Sequence, residues 1–245
     1  MNTLIISGGI NNNVYPKIGA TMALPDVFDT FVGFGLSCVL IIYLALKTPF
    51  DIVIEKFLHL DNLRKKGLNE FQEGIKEMIG YRLGDITFSD FYDKYKKRLV
   101  FGAYNLTRKN KCLFGLNDTS NMSVVEAVCL ATSIPDNLNV TTFKGELYVD
   151  ISLVNSIPLS IIPVVLKRNS LIIYSNTGGI VQDLKQLLKI LAIIDTEKSE
   201  LKSANWNRII SLSDTIALDI SDPQGFAKII ASAYLQTRGF VESNE

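Results

Sequence analysis

Short apolar runs closed by turn residues alternate along this chain with longer stretches in which apolar positions recur every three to four residues. The first run, Thr3–Ile6, ends at Ser7-Gly8-Gly9 and reads as a strand entering a loop. Residues 15–24 read as a short helix. Thr30–Phe34 reads as a strand, residues 35–37 as a tight turn, and residues 38–46 as a buried helix. Residues 49–83 carry Ile52, Phe57, Leu60, Leu63, Leu68, Phe71, Ile75 and Met78 at helical spacing, which predicts helix throughout. Thr87, followed three residues later by Asp90, marks the start of another helix. Strands are predicted over 99–104, 111–114, 146–149, 171–174 and 216–220. Helices are predicted over 123–132, over 181–194, and from Ser221-Asp222-Pro223 to about Gln236, with proline in the first turn. Strands alternating with helices imply an α/β fold whose mainly parallel sheet is covered on both faces.

Composition narrows the function classes. A chain of 245 residues, 47% apolar with mean hydropathy +0.22, can bury the core of one α/β domain, so a single domain over 1–245 is expected, with about 50–100 as a helical insertion. Lys plus Arg and Asp plus Glu number 25 each, which leaves no basic footprint for nucleic acid. Three cysteines without CxxC spacing predict free thiols in a reducing, intracellular compartment, and neither a zinc site nor a cofactor is expected. Residues 31–46 are uncharged but too short for a bilayer span and contain Gly33 and Gly35, so a strand, turn and buried helix explain them better. The N-terminus has no basic run before its apolar residues, and no signal peptide is expected. The 28 isoleucines and 18 asparagines hint at an AT-rich genome, such as that of a large DNA virus. The lone His59 lies in a helical segment without a glycine elbow, which predicts an ordinary helix histidine rather than a triad member. A hydrolase here would have to pair a carboxylate with a hydroxyl.

Several segments, read in order, resemble the patatin-like phospholipases. Ile6-Ser7-Gly8-Gly9-Ile10 is similar to the family's glycine-rich oxyanion loop. Phe28-Asp29-Thr30-Phe31-Val32-Gly33 is similar to the strand entering its nucleophile elbow, and residues 101–107 to its central strand. Met122 to Pro135 resembles the helix and Ser-Ile-Pro segment preceding the family's aspartate motif, and Tyr148 to Pro158 that motif itself. The resemblance implies a three-layer patatin-like fold, Asp150 as the base that acts directly on a serine, and Gly8, Gly9 and Ile10 as the oxyanion loop. It also implies lipid or a membrane surface as the natural partner.

The chain departs from that pattern at the site. The family's loop carries a third glycine and a basic residue, where this chain has Ile10 followed by Asn11-Asn12-Asn13. The family's elbow is Gly-x-Ser-x-Gly, where this chain reads Gly33-Phe34-Gly35-Leu36-Ser37, which puts Gly35 in the nucleophile position. Sliding the motif by two residues makes Ser37 the nucleophile, at the cost of the spacing from Asp29 and with Val39 in place of the last glycine. After Asp150, Ile151-Ser152 replaces a glycine pair, and the bland role of Asp150 is to hydrogen-bond its own turn. Cys38 reads as a buried thiol, Thr177-Gly178-Gly179 as a helix-capping turn, and residues 94–98 as a solvated basic face. Two functions follow. One is a catalytically inactive patatin-fold subunit with protein partners, structural or binding, for which a virion is a natural setting. The other is an active lipid acyl hydrolase in which Ser37 and Asp150 form the dyad.

Overall fold

The computed structural model describes residues 2–9, 14–134, 141–175, 209–212 and 223–243. Its central sheet has the strand order β5-β6-β3-β2-β1-β7-β8, with β4 pairing β3 beside that path. The strands are β1 (Thr3–Ile6), β2 (Thr30–Phe34), β3 (Arg98–Asn105), β4 (Asn110–Gly115), β5 (Thr141–Phe143), β6 (Glu146–Asp150), β7 (Ser170–Ser175) and β8 (Ile209–Leu212). The run β3-β2-β1-β7-β8 is parallel throughout, while β4 and β6 pair β3, and β5 pairs β6, in antiparallel fashion. The sheet is therefore mainly parallel, with an antiparallel end.

Side-chain alternation divides the core in two. Leu4, Ile6, Phe31, Leu99, Phe101, Ile173 and Ile210 point to one face. There they meet α1 (Val14–Met22), α2 (Ser37–Ala45), α3 (Phe50–Lys66), α4 (Leu68–Leu83), α5 (Phe88–Tyr95), α6 (Val124–Ala131) and α8 (Pro223–Glu242). Ile5, Val32, Phe34, Ile172 and Tyr174 point to the other, where Ile151, Ile157, Leu159, Ile162 and Leu166 cover them. Among the described residues that second cover is two 3-10 turns, Ile151–Leu153 and Leu159–Ile161, and the short α7 (Val164–Lys167), rather than long helices.

Apolar runs too uniform to leave a polar face become buried helices. In α2 every residue but Leu44 is buried, which accounts for the uncharged stretch without any bilayer. No helix among the described residues is long and apolar enough to cross a membrane. The helix expected over 49–83 is two helices, because the chain is extended at Gly67 (φ 166°, ψ 166°) and turns back so that α3 packs on α4. Thr87 caps α5 as expected. Its hydroxyl accepts from the Asp90 N–H at 3.1 Å, and the Asp90 carboxylate accepts from the Thr87 N–H at 3.2 Å. The three-residue β5 and the four-residue β8 and α7 were not anticipated, whereas α8 runs beyond the predicted end near Gln236. The helix expected over 181–194, the strand over 216–220 and the turn at Thr177-Gly178-Gly179 lie outside the described residues.

Candidate functional site

Strand register assembles the site before any side chain is considered. Phe34, the last residue of β2, pairs with Gly102 of β3, and the next residue, Ala103, pairs with Asp150 at the end of β6. The carboxyl end of β2 and the carboxyl end of β6 thus meet across one strand. Beyond Phe34 the chain must turn sharply into α2, and Gly35 takes a left-handed conformation there (φ 54°), which glycine adopts without a Cβ penalty. A Cβ built on Gly35 would lie 2.7 Å from Asp150 Oδ2 and 3.1 Å from Oδ1. Gly35 therefore faces the carboxylate across a gap too small for a side chain.

Asp150 is 5% exposed. Its N–H donates to the Ser133 carbonyl at 2.7 Å, which ties β6 to the segment after α6. Its Oδ1 accepts from the Ser152 N–H at 2.7 Å and so holds the 3-10 turn that follows. Burial pushes the carboxyl up to about 6. The Ser152 amide and hydroxyl, and the more distant charge of Lys17, pull in the other direction without cancelling it. The Ser152 hydroxyl lies close enough to bias the carboxyl, but it forms no hydrogen bond of good geometry and has no other partner.

Ser37 is the first residue of α2, one position earlier than the predicted helix start. It is buried, and its Oγ donates to the Ser7 carbonyl at 2.7 Å, tying the helix to the end of β1. Cys38 beside it is fully buried, and its Sγ donates to the Gly33 carbonyl at 3.2 Å. Burial, with the Asp150 charge nearby, raises the Cys38 thiol well above its ordinary value, which disfavours the thiolate a nucleophile needs.

The loop after β1 is spent on structure. The Gly8 N–H donates to the Ser156 carbonyl at 2.6 Å, and the Gly8 carbonyl accepts from Lys17 Nζ at 2.8 Å. An oxyanion donor must point a free N–H at the developing charge, and the Gly8 N–H is already engaged. Gly9 is buried, whereas Ile10 and Asn11–Asn13 lie outside the described residues. Lys17 is a residue the pattern reading missed. It sits in α1 with 1% exposure, and its signal was a single cation in an otherwise apolar and small helix, Val14-Tyr15-Pro16-Lys17-Ile18-Gly19-Ala20. Ser152 was read only as a lost glycine, yet it stands at the centre of the cluster.

The remaining candidates stand apart. His59 is exposed on α3, and residues 94–98 span the end of α5 and the start of β3, where Lys97 Nζ donates to the Phe28 carbonyl at 2.5 Å. Among the described residues no group of His, Cys, Asp and Glu is arranged to hold a metal ion.

No family model matches the sequence. A curated relative described as "Probable lipid hydrolase 463L", from Invertebrate iridescent virus 6, is 26% identical over 182 residues, covering 65% of this chain and 62% of the relative. The chain thus spans less than two thirds of that relative's length. Among solved structures, VipD from Legionella pneumophila is similar with a TM-score of 0.61 at 13% identity, over 99% of this chain and 67% of that one. ExoU from Pseudomonas aeruginosa, solved in complex with SpcU, gives a TM-score of 0.49 at 15% identity, over 99% of this chain and 52% of that one. At such identity the likeness to VipD carries the fold and not the chemistry.

Proposed function

We propose that this chain, whose α/β fold is that of the patatin-like phospholipases, has lost the serine–aspartate hydrolysis of that family and serves as a structural or binding subunit. The observation that carries the reading is Gly35 standing at the elbow against the Asp150 carboxylate, where a hydroxyl would be needed. Direct base catalysis requires the acceptor oxygen within about 2.6–3.2 Å of the hydroxyl it activates. The one hydroxyl at the start of α2, that of Ser37, is donated to the Ser7 carbonyl. Gly8, the first donor of the expected oxyanion loop, has its N–H on the Ser156 carbonyl. Each of these bonds favours a closed polar cluster over a poised dyad.

The likeness to the "Probable lipid hydrolase 463L" of an iridescent virus supports a lipid or membrane surface as the partner and a viral setting, and within that setting we place a subunit without turnover in the virion. We read the three free cysteines as the mark of a reducing, intracellular compartment. We read 1–245 as one patatin-like domain, with about 50–100 as its helical insertion.

The test is hydrolysis and labelling. Purified protein is expected to cleave neither a p-nitrophenyl ester nor a fluorogenic phospholipid above the level of its Asp150→Asn variant, and to resist a fluorophosphonate. Turnover abolished by both Ser37→Ala and Asp150→Asn would establish the hydrolase instead.

A further inference from the structure

Gly35 and Ser152 belong to different turns, yet each sets the space of the other. A Cβ on Gly35 would meet Ser152 Oγ at 2.7 Å, the same distance at which it meets Asp150 Oδ2. On its other side, Ser152 Oγ lies against the loop after β1, where a Cβ on Gly8 would fall 1.8 Å from it. The hydroxyl is thus wedged between two backbones that both lack a Cβ. Ser152 is 1% exposed, and its hydroxyl, close enough to bias the Asp150 carboxyl, makes no hydrogen bond of good geometry. A buried hydroxyl so poorly satisfied contributes little to stability, so its place there calls for another explanation.

We infer that the Ser152 hydroxyl fills the volume that a side chain at the elbow would need, so that Gly35 and Ser152 act as one coupled pair closing the space beside Asp150. The inference rests on the reading of an elbow without a nucleophile, and it names what occupies the position instead. Ser152 is a positioning residue in this account. Its amide orients the Asp150 carboxylate through the 2.7 Å bond to Oδ1, while its hydroxyl excludes both a side chain at position 35 and a ligand hydroxyl from Oδ2. The carboxylate is kept in place and kept covered by the same residue.

The pair makes a prediction that neither residue makes alone, because groups sharing one space do not contribute additively. Four proteins test it: wild type, Gly35→Ser, Ser152→Ala and the double variant, compared by thermal unfolding. Gly35→Ser is expected to lower the melting temperature by roughly 3–10 °C, from the strain of a side chain at a left-handed position and the close contacts around it. In the Ser152→Ala background the same substitution is expected to lower it by half as much or less. An equal drop in both backgrounds overturns the inference. If Gly35→Ser yields no folded protein, a folded double variant counts as rescue and an unfolded one as refutation. Fluorophosphonate labelling of the wild type, run in parallel, separates the two readings. Labelling lost in Asp150→Asn sinks the inactive site, whatever the melting temperatures show. Additive melting with an unlabelled wild type sinks only the pair.

Discussion

Asp150 carries a measurable liability. Its carboxyl is pushed from 3.8 to about 6 because burial penalises the charged form more than the Ser152 amide and Lys17 favour it. An acid held more tightly by the folded state takes up protons on folding. Stability from this group therefore falls as pH rises from about 4 to 6, and is level above that. The difference corresponds to roughly 3 kcal/mol at neutral pH. Asn at this position has no charge to bury, and its carbonyl oxygen still accepts from the Ser152 N–H. Asp150→Asn is thus expected to be more stable than wild type at pH 7.5, by up to about 3 kcal/mol, with the gap closing towards pH 4. Denaturant titrations at the two pH values check this. A gap that widens on acidification would mean that the carboxylate is stabilised where it stands.

At the scale of elements, what the sequence revealed and what it hid have separate physical causes. β1, β2, β3, β6 and β7 were legible because uninterrupted apolar or β-branched runs bounded by turn residues suit a buried parallel sheet. The cap on α5 was legible because Thr87 and Asp90 satisfy each other locally. The break at Gly67 was not, since a glycine inside a helix costs only about 1 kcal/mol and the apolar spacing continues across it. β5 and β8 are short and partly exposed, and carry little pattern to read. Asp150 and Gly35 were named from motif order alone. Their meeting with Ser152, Gly8 and Lys17 depends on strand register, which no local pattern carries. The packing of α1 on α8 is hidden for the same reason. A Cβ on Gly19 would lie 2.3 Å from the Ile230 carbonyl oxygen and 2.9 Å from its Cα. Those atoms are backbone, so the helices must part to admit a methyl group. Gly19→Ala is expected to destabilise the protein by about 1–3 kcal/mol, although alanine favours helix by up to about 1 kcal/mol. Urea unfolding measures it, and a stabilised variant would show that the two helices do not touch there.

For the whole molecule, the question is whether the helices between about 50 and 100 unfold with the sheet or apart from it. Val53, Phe57 and Leu60 of α3, Phe71, Ile75 and Ile79 of α4, and Phe88 and Phe91 of α5 belong to the same buried cluster as Leu4, Ile6, Phe31, Leu99 and Phe101 of the strands. Phe88 packs its ring 5.4 Å from that of Phe101, and Gln72 Nε2 of α4 donates to the Ile134 carbonyl at 3.2 Å, next to Ser133, whose carbonyl accepts from the Asp150 N–H. A unit that shares its apolar surface with the sheet cannot leave without exposing both sides, and that exposure makes unfolding cooperative. One calorimetric transition is therefore expected, with equal calorimetric and van't Hoff enthalpies of roughly 0.7 kcal/mol per folded residue near 60 °C. Two resolved transitions, the lower one abolished by Phe57→Ala or Phe71→Ala, would make the helical segment a separate unit. The Asp150 cluster would then have to be held by the sheet and its antiparallel end without those helices.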